Sequence, residues 1–327
     1  MKRGTRVLAR KVLNSFITLL LVIVINFMLF RMMPGDPVNF MVPQDPRIPH
    51  EYKLELIEEY GLRDPLHEQF ITYIFDVFTL DFGDSFIQRQ TPAMDYVLEY
   101  LKWTLILTGT SSILMIVIGM FMGIYAAWKR GSMFDTGSMA FSLFFYAMPT
   151  FWLAMMFILL FAIMWPVFPT DSALAYGTTL EFNLDSILDM LYHLVLPAVT
   201  LTLVSIGAFA LIMRGSLIDV MTEEYITTAK AKGLTDSDVL RHHAVPNAML
   251  PMIALIAIDI AYIVGGAFQV EYVFNYPGIG WATILAVYDN DWPVLQAAFF
   301  IIAVAVIIAN LLADLLLVYM DPRVKLG

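Results

Sequence analysis

The sequence contains no cysteine and few charged residues. None of its 327 residues is Cys, and only 15% are Asp, Glu, Lys or Arg. The first absence excludes disulfides, thiolate metal ligands and cysteine nucleophiles. Hydrophobic residues make up 59% of the chain, whereas a soluble domain has about 45–50% apolar and about 25% charged residues. A water-soluble core cannot hide this excess, so we expect lipid to solvate much of the chain.

The sequence patterns of common active sites are missing as well. No Lys directly follows a Gly, which excludes a Walker A phosphate loop, and there is no G-x-S-x-G, H-E-x-x-H or G-x-G-x-x-G. Only His242 and His243 are neighbouring histidines, and adjacent helical residues point about 100° apart. We interpret both as polar residues at a membrane boundary rather than metal ligands. We therefore predict no catalytic, cofactor or metal site in this chain.

Six stretches are long and apolar enough to span a bilayer as helices. A hydrocarbon core of about 30 Å needs about 20 helical residues. The predicted spans are Val12–Phe30, Thr104–Trp128, Phe134–Trp165, Leu194–Met213, Met249–Gln269 and Val294–Met320. The first follows basic residues, as a signal-peptide core would, but it is too long for one and no cleavage site closes it. Pro149 interrupts the third span and is expected to kink or split it.

The distribution of Lys and Arg predicts the orientation of the chain. Basic residues lie at the N-terminus, in 129–133, in 214–248 and near the C-terminus, whereas 166–193 and 270–293 contain none. With six helices the two sets alternate, so the positive-inside rule places both termini in the cytoplasm. The acidic excess then lies outside the cell. It indicates either a solvated acidic surface or a face that docks a basic partner.

These features divide the chain into three regions and predict an all-α membrane protein with about six transmembrane helices. The regions are the N-terminal segment with the first helix (1–30), an extracytoplasmic acidic region (31–103) and a five-helix core (104–327) with the cytoplasmic loop 214–248. Within the acidic region, Tyr52–Tyr60 has the apolar spacing of a short amphipathic helix that Gly61 ends, and His67–Phe78 has that of a second.

A few polar and small residues inside the predicted spans are candidates for function. Asp259 lies in the fifth span, and Asn310 and Asp314 are four residues apart on one face of the sixth. Polar groups are costly in hydrocarbon. These three therefore either line a pathway or relay protons, or they hydrogen-bond neighbouring helices. Gly119 and Gly123 form a G-x-x-x-G pattern that suits close helix contact.

The longest cytoplasmic loop predicts two short helices joined at a glycine. Thr222 is a candidate cap ahead of acidic residues that favour a helix N-terminus. Gly233 is expected to end the first helix. Ala229 and Ala231 give this helix a small-residue face, which either lies against another protein or remains a bare surface.

A second helix start follows the glycine. Asp236-Ser237-Asp238 is typical of a helix N-terminus, and Pro246 is expected to break that helix near the membrane.

This loop resembles the EAA loop of ABC-importer permeases, in the form found in the dipeptide/oligopeptide (and nickel) branch. That branch has a pattern like E-Y-[IV]-x-T-A-[KR]-A-K-G-L, with P-N-A and L-P further on. Here the first part runs from Glu224 to Leu234 and the second from Pro246 to Pro251, with Thr227 in place of the Glu that names the loop. Other segments resemble the first permease of this type: Pro34-Gly35-Asp36-Pro37, Leu80–Ser85, Pro149–Leu153, His193–Ala198, Tyr276–Gly280 and Asp321-Pro322-Arg323.

The resemblance implies a type I ABC-importer permease fold in a prokaryotic plasma membrane, and no ATPase activity in the chain itself. It also implies a second homologous permease subunit, two cytosolic ATPase subunits that bind ATP and Mg, and an extracytoplasmic substrate-binding protein. The coupling helix would be about 222–234. Its candidate contact residues are Glu223, Glu224, Tyr225, Thr228, Ala229, Lys230, Ala231, Lys232, Gly233 and Leu234.

The cargo that the resemblance implies is a dipeptide or oligopeptide, because that is the substrate class of this permease branch. The same machinery with oligosaccharide, nickel or glutathione as cargo is the first alternative. An ion-coupled secondary transporter or channel is the second, although the sequence shows no inverted repeat and no paired intramembrane charges. A membrane scaffold is the third, and no sequence feature favours it.

Overall fold

The computed structural model is helical almost throughout the residues that it describes. These are 3–31, 49, 51, 54, 57–58, 61–86, 88, 90–263 and 267–320, with side chains described from 10 to 312 except at 257 and 260–262. Among them only an isolated bridge between Asp84 and Pro92 has β character. The helices are α1 Arg3–Arg31, α2 Leu66–Thr79, α3 Ala93–Trp128, α4 Met133–Tyr146, α5 Thr150–Phe157, α6 Leu184–Met221, α7 Glu224–Ala231, α8 Asp236–Val239, α9 Val245–Ile263, α10 Phe268–Val273, α11 Ile279–Tyr288 and α12 Trp292–Met320.

Several of these helices are suited to a membrane. Within the described residues, α1, α3, α6 and α12 are long and apolar enough to span it. The bent pair of α4 and the helical residues Thr150–Met164 would be a fifth span if the two count as one. Their outer faces carry large exposed apolar side chains, such as Ile25 at 61% and Phe121 at 69% exposure. Such faces require lipid as their solvent. The prediction of an all-α membrane protein is therefore confirmed.

The structure describes only part of the fifth predicted span, Met249–Gln269. Residues 245–263 form α9, residues 264–266 lie outside the described part, and α10 begins at Phe268. The predicted helix at Tyr52–Tyr60 also lies largely outside it, as do the segments Pro34–Pro37 and Asp321–Arg323. The second predicted helix of the acidic region is confirmed as α2, Leu66–Thr79.

The helix ends differ from the predicted span ends because hydropathy does not detect caps. The helix α3 begins at Ala93 rather than at Thr104, and α6 extends from Leu184 to Met221. The Asn183 side chain caps α6 by accepting a hydrogen bond of 2.8 Å from the Ser186 N–H. Residues before Leu194 therefore stay helical outside the most apolar stretch. Arg214, which we assigned to a loop, lies inside α6.

The predicted break at Pro149 is confirmed. The axes of α4 and of the helix that follows differ by 99°. Pro149 occupies the position before α5 with φ −60° and ψ 128°, an extended conformation that ends the first helix and starts the second. After Phe157 the helix continues as a π-helical segment, Ile158–Met164.

The chain forms two compact units, of which unit 1 comprises Met1–Thr104, Val264–Phe268 and Pro277–Leu311. Its core contains aromatic residues from α1, α2 and α12. Phe27 and Tyr73 lie 5.6 Å apart between ring centroids, and Asn26 donates hydrogen bonds to the Tyr73 hydroxyl and the Gln296 carbonyl. The helix α2 is thus fixed against the first and last spans.

Unit 2 comprises Leu105–Ile263, Gln269–Tyr276 and Leu312–Gly327. Within it, α3 and α6 make a close contact at two glycines. A Cβ added to Gly123 would lie 2.6 Å from the Ala210 carbonyl oxygen, and one added to Gly119 would lie 2.7 Å from the Phe209 Cβ. The prediction that this G-x-x-x-G pattern serves close helix contact is confirmed.

Candidate coupling surface

The helix α7 belongs to unit 2 and follows the long helix α6. After Met221 the chain turns, with the Thr222 N–H bonded to the Asp219 carbonyl, and α7 begins at Glu224. Thr222 does not cap α7, so that prediction is wrong. Its hydroxyl instead donates a 2.7 Å hydrogen bond to the Asp219 carbonyl, because a carbonyl oxygen in the last turn of a helix can accept a second hydrogen bond.

The inner face of α7 packs on the chain's own core. Ile226 is 1% exposed and Ala229 is 6% exposed. Both belong to a cluster with Met213 and Leu217 of α6 and with Val239 of α8. Ala229 was predicted to contact another protein, but here it faces unit 2. Of the two predicted small residues, Ala231 is the one that remains exposed.

The outer face of α7 is small and weakly charged. Glu224, Thr227, Thr228 and Ala231 are all exposed, and at 100° per residue they lie opposite Ile226 and Ala229. Only Glu224 among these four carries a charge. Tyr225, Lys230, Lys232 and Leu234 flank this face and are exposed as well. We refer to Glu224, Thr227, Thr228 and Ala231 as the outer face.

The turn after α7 has the predicted geometry. Gly233 has φ +83°, and its N–H bonds to the Lys230 carbonyl at 2.9 Å. This left-handed conformation favours glycine and ends the helix. An ion pair of 3.0 Å joins Lys230 to Asp236 across the turn, and its exposure to solvent limits its contribution to stability.

The second helix of the loop starts where predicted but ends elsewhere. It begins at Asp236, with Thr235 as its cap. The prediction that Pro246 breaks it is wrong, because the chain continues through the π-helical segment Leu240–Ala244 into α9. The wider π turn and the position of Pro246 in the first turn of α9 remove the conflict with its missing N–H.

An ion pair that the sequence did not reveal lies beside this loop. Arg214 of α6 donates from Nε and Nη2 to both carboxylate oxygens of Asp135 in the first turn of α4, with an Nη2–Oδ2 distance of 2.8 Å. Asp135 is 4% exposed and also accepts a hydrogen bond from the Gly131 N–H. The two residues are 79 positions apart. The pair holds the 129–133 turn at the same end of unit 2 as α7.

The three polar residues predicted inside the spans are not brought together by the described structure. Asp259 is partly buried and bonds to the Ser112 hydroxyl, while its Oδ2 atom is buried without a partner among the described residues. Asn310 is exposed, and the side chain of Asp314 lies outside the described part. A pathway role for these residues stays a prediction.

Histidine and acidic side chains do not gather into a metal site. No group of three His, Cys, Asp or Glu within reach of one ion occurs in the described part of the chain. His242 and His243 lie in the π-helical segment after α8, and both are at least partly exposed.

Unit 1 contains a polar cavity that the sequence did not predict. It measures about 200 Å³ and is lined by Arg31, Tyr73, Asp76 and Gln296, among others. The Arg31 guanidinium lies over the Phe27 ring at 4.6 Å and bonds to Gln69. Burial raises the pKa of Asp76 to about 6, helped by the nearby charge of Asp81 and opposed by Arg31.

Two families of transport components together match residues 4–326. The family "Binding-protein-dependent transport system inner membrane component" matches residues 98–326, and the N-terminal family of such components matches 4–108. The oligopeptide transport system permease protein AppB of Bacillus subtilis is 33% identical over 97% of this chain and 98% of its own length. The dipeptide transport system permease protein DppB of Escherichia coli is 32% identical over 92% and 93%.

A solved structure has the same fold. It is an inward-facing form of the MetNI methionine ABC transporter, with a TM-score of 0.54 and 16% identity, covering 69% of this chain and 96% of that one. The neighbour shows the fold alone, whereas the family match, the permease relatives and the long apolar helices define an integral membrane permease of the ABC-importer type. The chain belongs to the family of binding-protein-dependent transport system inner membrane components.

Proposed function

We propose that this permease forms half of the pathway of a peptide importer whose motor is a separate pair of ATPase subunits. The observation that carries the coupling role is the geometry of α7. Its apolar face is anchored on the chain's own core through Ile226 and Ala229, while its outer face is small and free. A helix held this way can pass a push from a docked motor to α6 without detaching from the core.

The partners follow from the same proposal. The outer face of α7 docks into a groove of an ATPase subunit, which binds ATP and Mg. A second homologous permease completes the pathway, and an extracytoplasmic binding protein delivers the cargo. The transporter alternates between two conformational states during transport. Only a contact that differs between the two states can shift their populations, so the ATPase subunit must hold α7 differently in each.

Peptides are the proposed cargo because several relatives named as oligopeptide, di/tripeptide and dipeptide permeases align over more than nine-tenths of this chain. Oligosaccharides, nickel and glutathione remain the alternatives for the same machinery.

Reconstitution of the complete transporter tests this proposal. Proteoliposomes that hold this chain, the second permease and both ATPases are expected to accumulate dipeptides only with the binding protein outside and ATP inside. Nickel, glutathione and oligosaccharides serve as competing cargo. Uptake by the chain alone, or uptake that persists without ATP, would contradict the importer; preference for another cargo would contradict only the peptide assignment.

A further inference from the structure

A small notch lies in unit 2 next to the coupling loop. Its volume is about 120 Å³, and its walls come from the end of α3, the end of α6 and the segment after α8. Apolar side chains form most of its lining, namely Leu217, Met221 and Leu240 together with Trp128. Arg130 stands at the notch, and no carboxylate is among its lining residues.

Two basic residues beside the notch form no ion pair within the described part of the chain. Lys129 and Arg130 are exposed and form no ion pair with a described residue. Asp135 is close in sequence, but its carboxylate is already held by Arg214 and the Gly131 N–H. Arg130 also interacts electrostatically with Asp135, but this single carboxylate is shared with Arg214. The turn therefore keeps an excess of positive charge at the end of the span α3.

An aromatic cluster continues this surface toward the lipid. Tyr125 packs edge-on against Phe134 at 4.7 Å and against Trp128 at 6.3 Å between ring centroids. All three side chains are 44% exposed, and Lys129 Nζ lies 5.3 Å from the centre of the Trp128 ring. Aromatic rings with basic neighbours at the end of a span are typical of the level of the lipid headgroups.

We propose that this notch and turn form a binding site for one anionic phospholipid. The phosphate lies between Lys129 and Arg130, and the first carbons beneath the headgroup fill the apolar notch. The charges and the apolar walls match the two parts of such a lipid. The inference rests on the proposed function only for the side of the membrane, which is the cytoplasmic leaflet.

This position connects the lipid to the coupling loop. Met221 ends α6 and α7 begins at Glu224, while Leu240 packs in the same cluster as Ile226 and Ala229. A bound lipid therefore contacts both the helix that leads to α7 and the segment that supports it. We expect a bound anionic lipid to make the packing of α7 on this cluster more rigid and to raise ATP-dependent uptake.

The test measures lipid retention by the purified full transporter. Complexes are extracted from membranes that contain phosphatidylglycerol and phosphatidylcholine, and retained lipids are quantified by native mass spectrometry. Wild-type complexes are expected to keep phosphatidylglycerol preferentially. Replacing Lys129 and Arg130 together by Gln is expected to weaken its retention roughly 25-fold, since each basic residue near an anionic lipid contributes roughly fivefold.

Two further variants separate a built site from general surface charge. Ile218→Trp fills the notch and is expected to abolish the preference while both charges remain. Lys102→Gln removes a charge at the opposite end of α3 and should change nothing. Equal retention of both lipids by the wild type, or unchanged retention in the double variant, would overturn the proposal. ATPase coupling in pure phosphatidylcholine is measured alongside, so that a failure of the proposed function is recognised separately.

Discussion

Replacing Ala231 by Glu is expected to reduce ATP-dependent uptake at least tenfold while the chain remains folded in the membrane. Ala231 lies exposed on the outer face of α7, so the new carboxylate costs the isolated subunit about 0.5 kcal/mol or less. In the docked complex the same charge would be buried without a partner, which costs several kcal/mol. The measurement is uptake per molecule of subunit, together with the midpoint of thermal unfolding in detergent.

The matched variant is Ala229→Glu, two residues away on the same helix. Ala229 is buried in the same cluster as Leu217 and Val239, so a carboxylate there is expected to lower the free energy of unfolding by about 3 kcal/mol. The two variants should therefore differ in stability. Ala231→Glu loses transport but stays stable, whereas Ala229→Glu loses both transport and stability. Normal uptake by Ala231→Glu would contradict the docking role of the outer face.

The second large effect is expected at the ion pair between Asp135 and Arg214. Asp135→Ala leaves the Arg214 guanidinium without its two acceptors in a site where its side chain is only 28% exposed. Breaking a fully buried pair costs about 3–5 kcal/mol, and because the arginine is partly exposed we expect a loss of about 3 kcal/mol here. Thermal unfolding of the purified chain in detergent measures the loss.

Asp219→Ala is the control for that variant. Asp219 is an exposed carboxylate near the same end of α6, and its removal should change the free energy of unfolding by about 0.5 kcal/mol or less. If Asp135→Ala proved as stable as Asp219→Ala, the pair would not be what holds the 129–133 turn.

The spans could be predicted from the sequence because lipid imposes both an apolar composition and a minimum length. The break at Pro149 and the turn at Gly233 could be predicted for local reasons, since proline lacks an N–H and glycine tolerates positive φ. The ends of the helices were harder to predict from the sequence. The cap at Asn183 and the π-helical passage before Pro246 depend on hydrogen bonds that hydropathy does not encode.

The candidate site could be located from the sequence but not oriented. The spacing of Ile226 and Ala229 does indicate a shared face, and the presence of Ile226 there could have identified it as the inner one. The pair of Asp135 and Arg214 had no local signal, because its members are 79 residues apart. The lipid-binding notch depends on three separate segments, so no single stretch of sequence predicts it.

The coupling role of α7 requires its outer face to lie in the cytoplasm and to be covered by the ATPase subunits. The chain has no cysteine, so Ala231→Cys and Phe182→Cys each introduce one unique thiol for a membrane-impermeant maleimide. Phe182 is fully exposed, on the loop between α5 and α6. We predict that Ala231→Cys reacts only in inverted vesicles stripped of ATPase subunits, and that Phe182→Cys reacts only in intact cells. Labelling of Ala231→Cys from outside the cell, or no protection when the ATPases bind, would contradict the coupling role of α7.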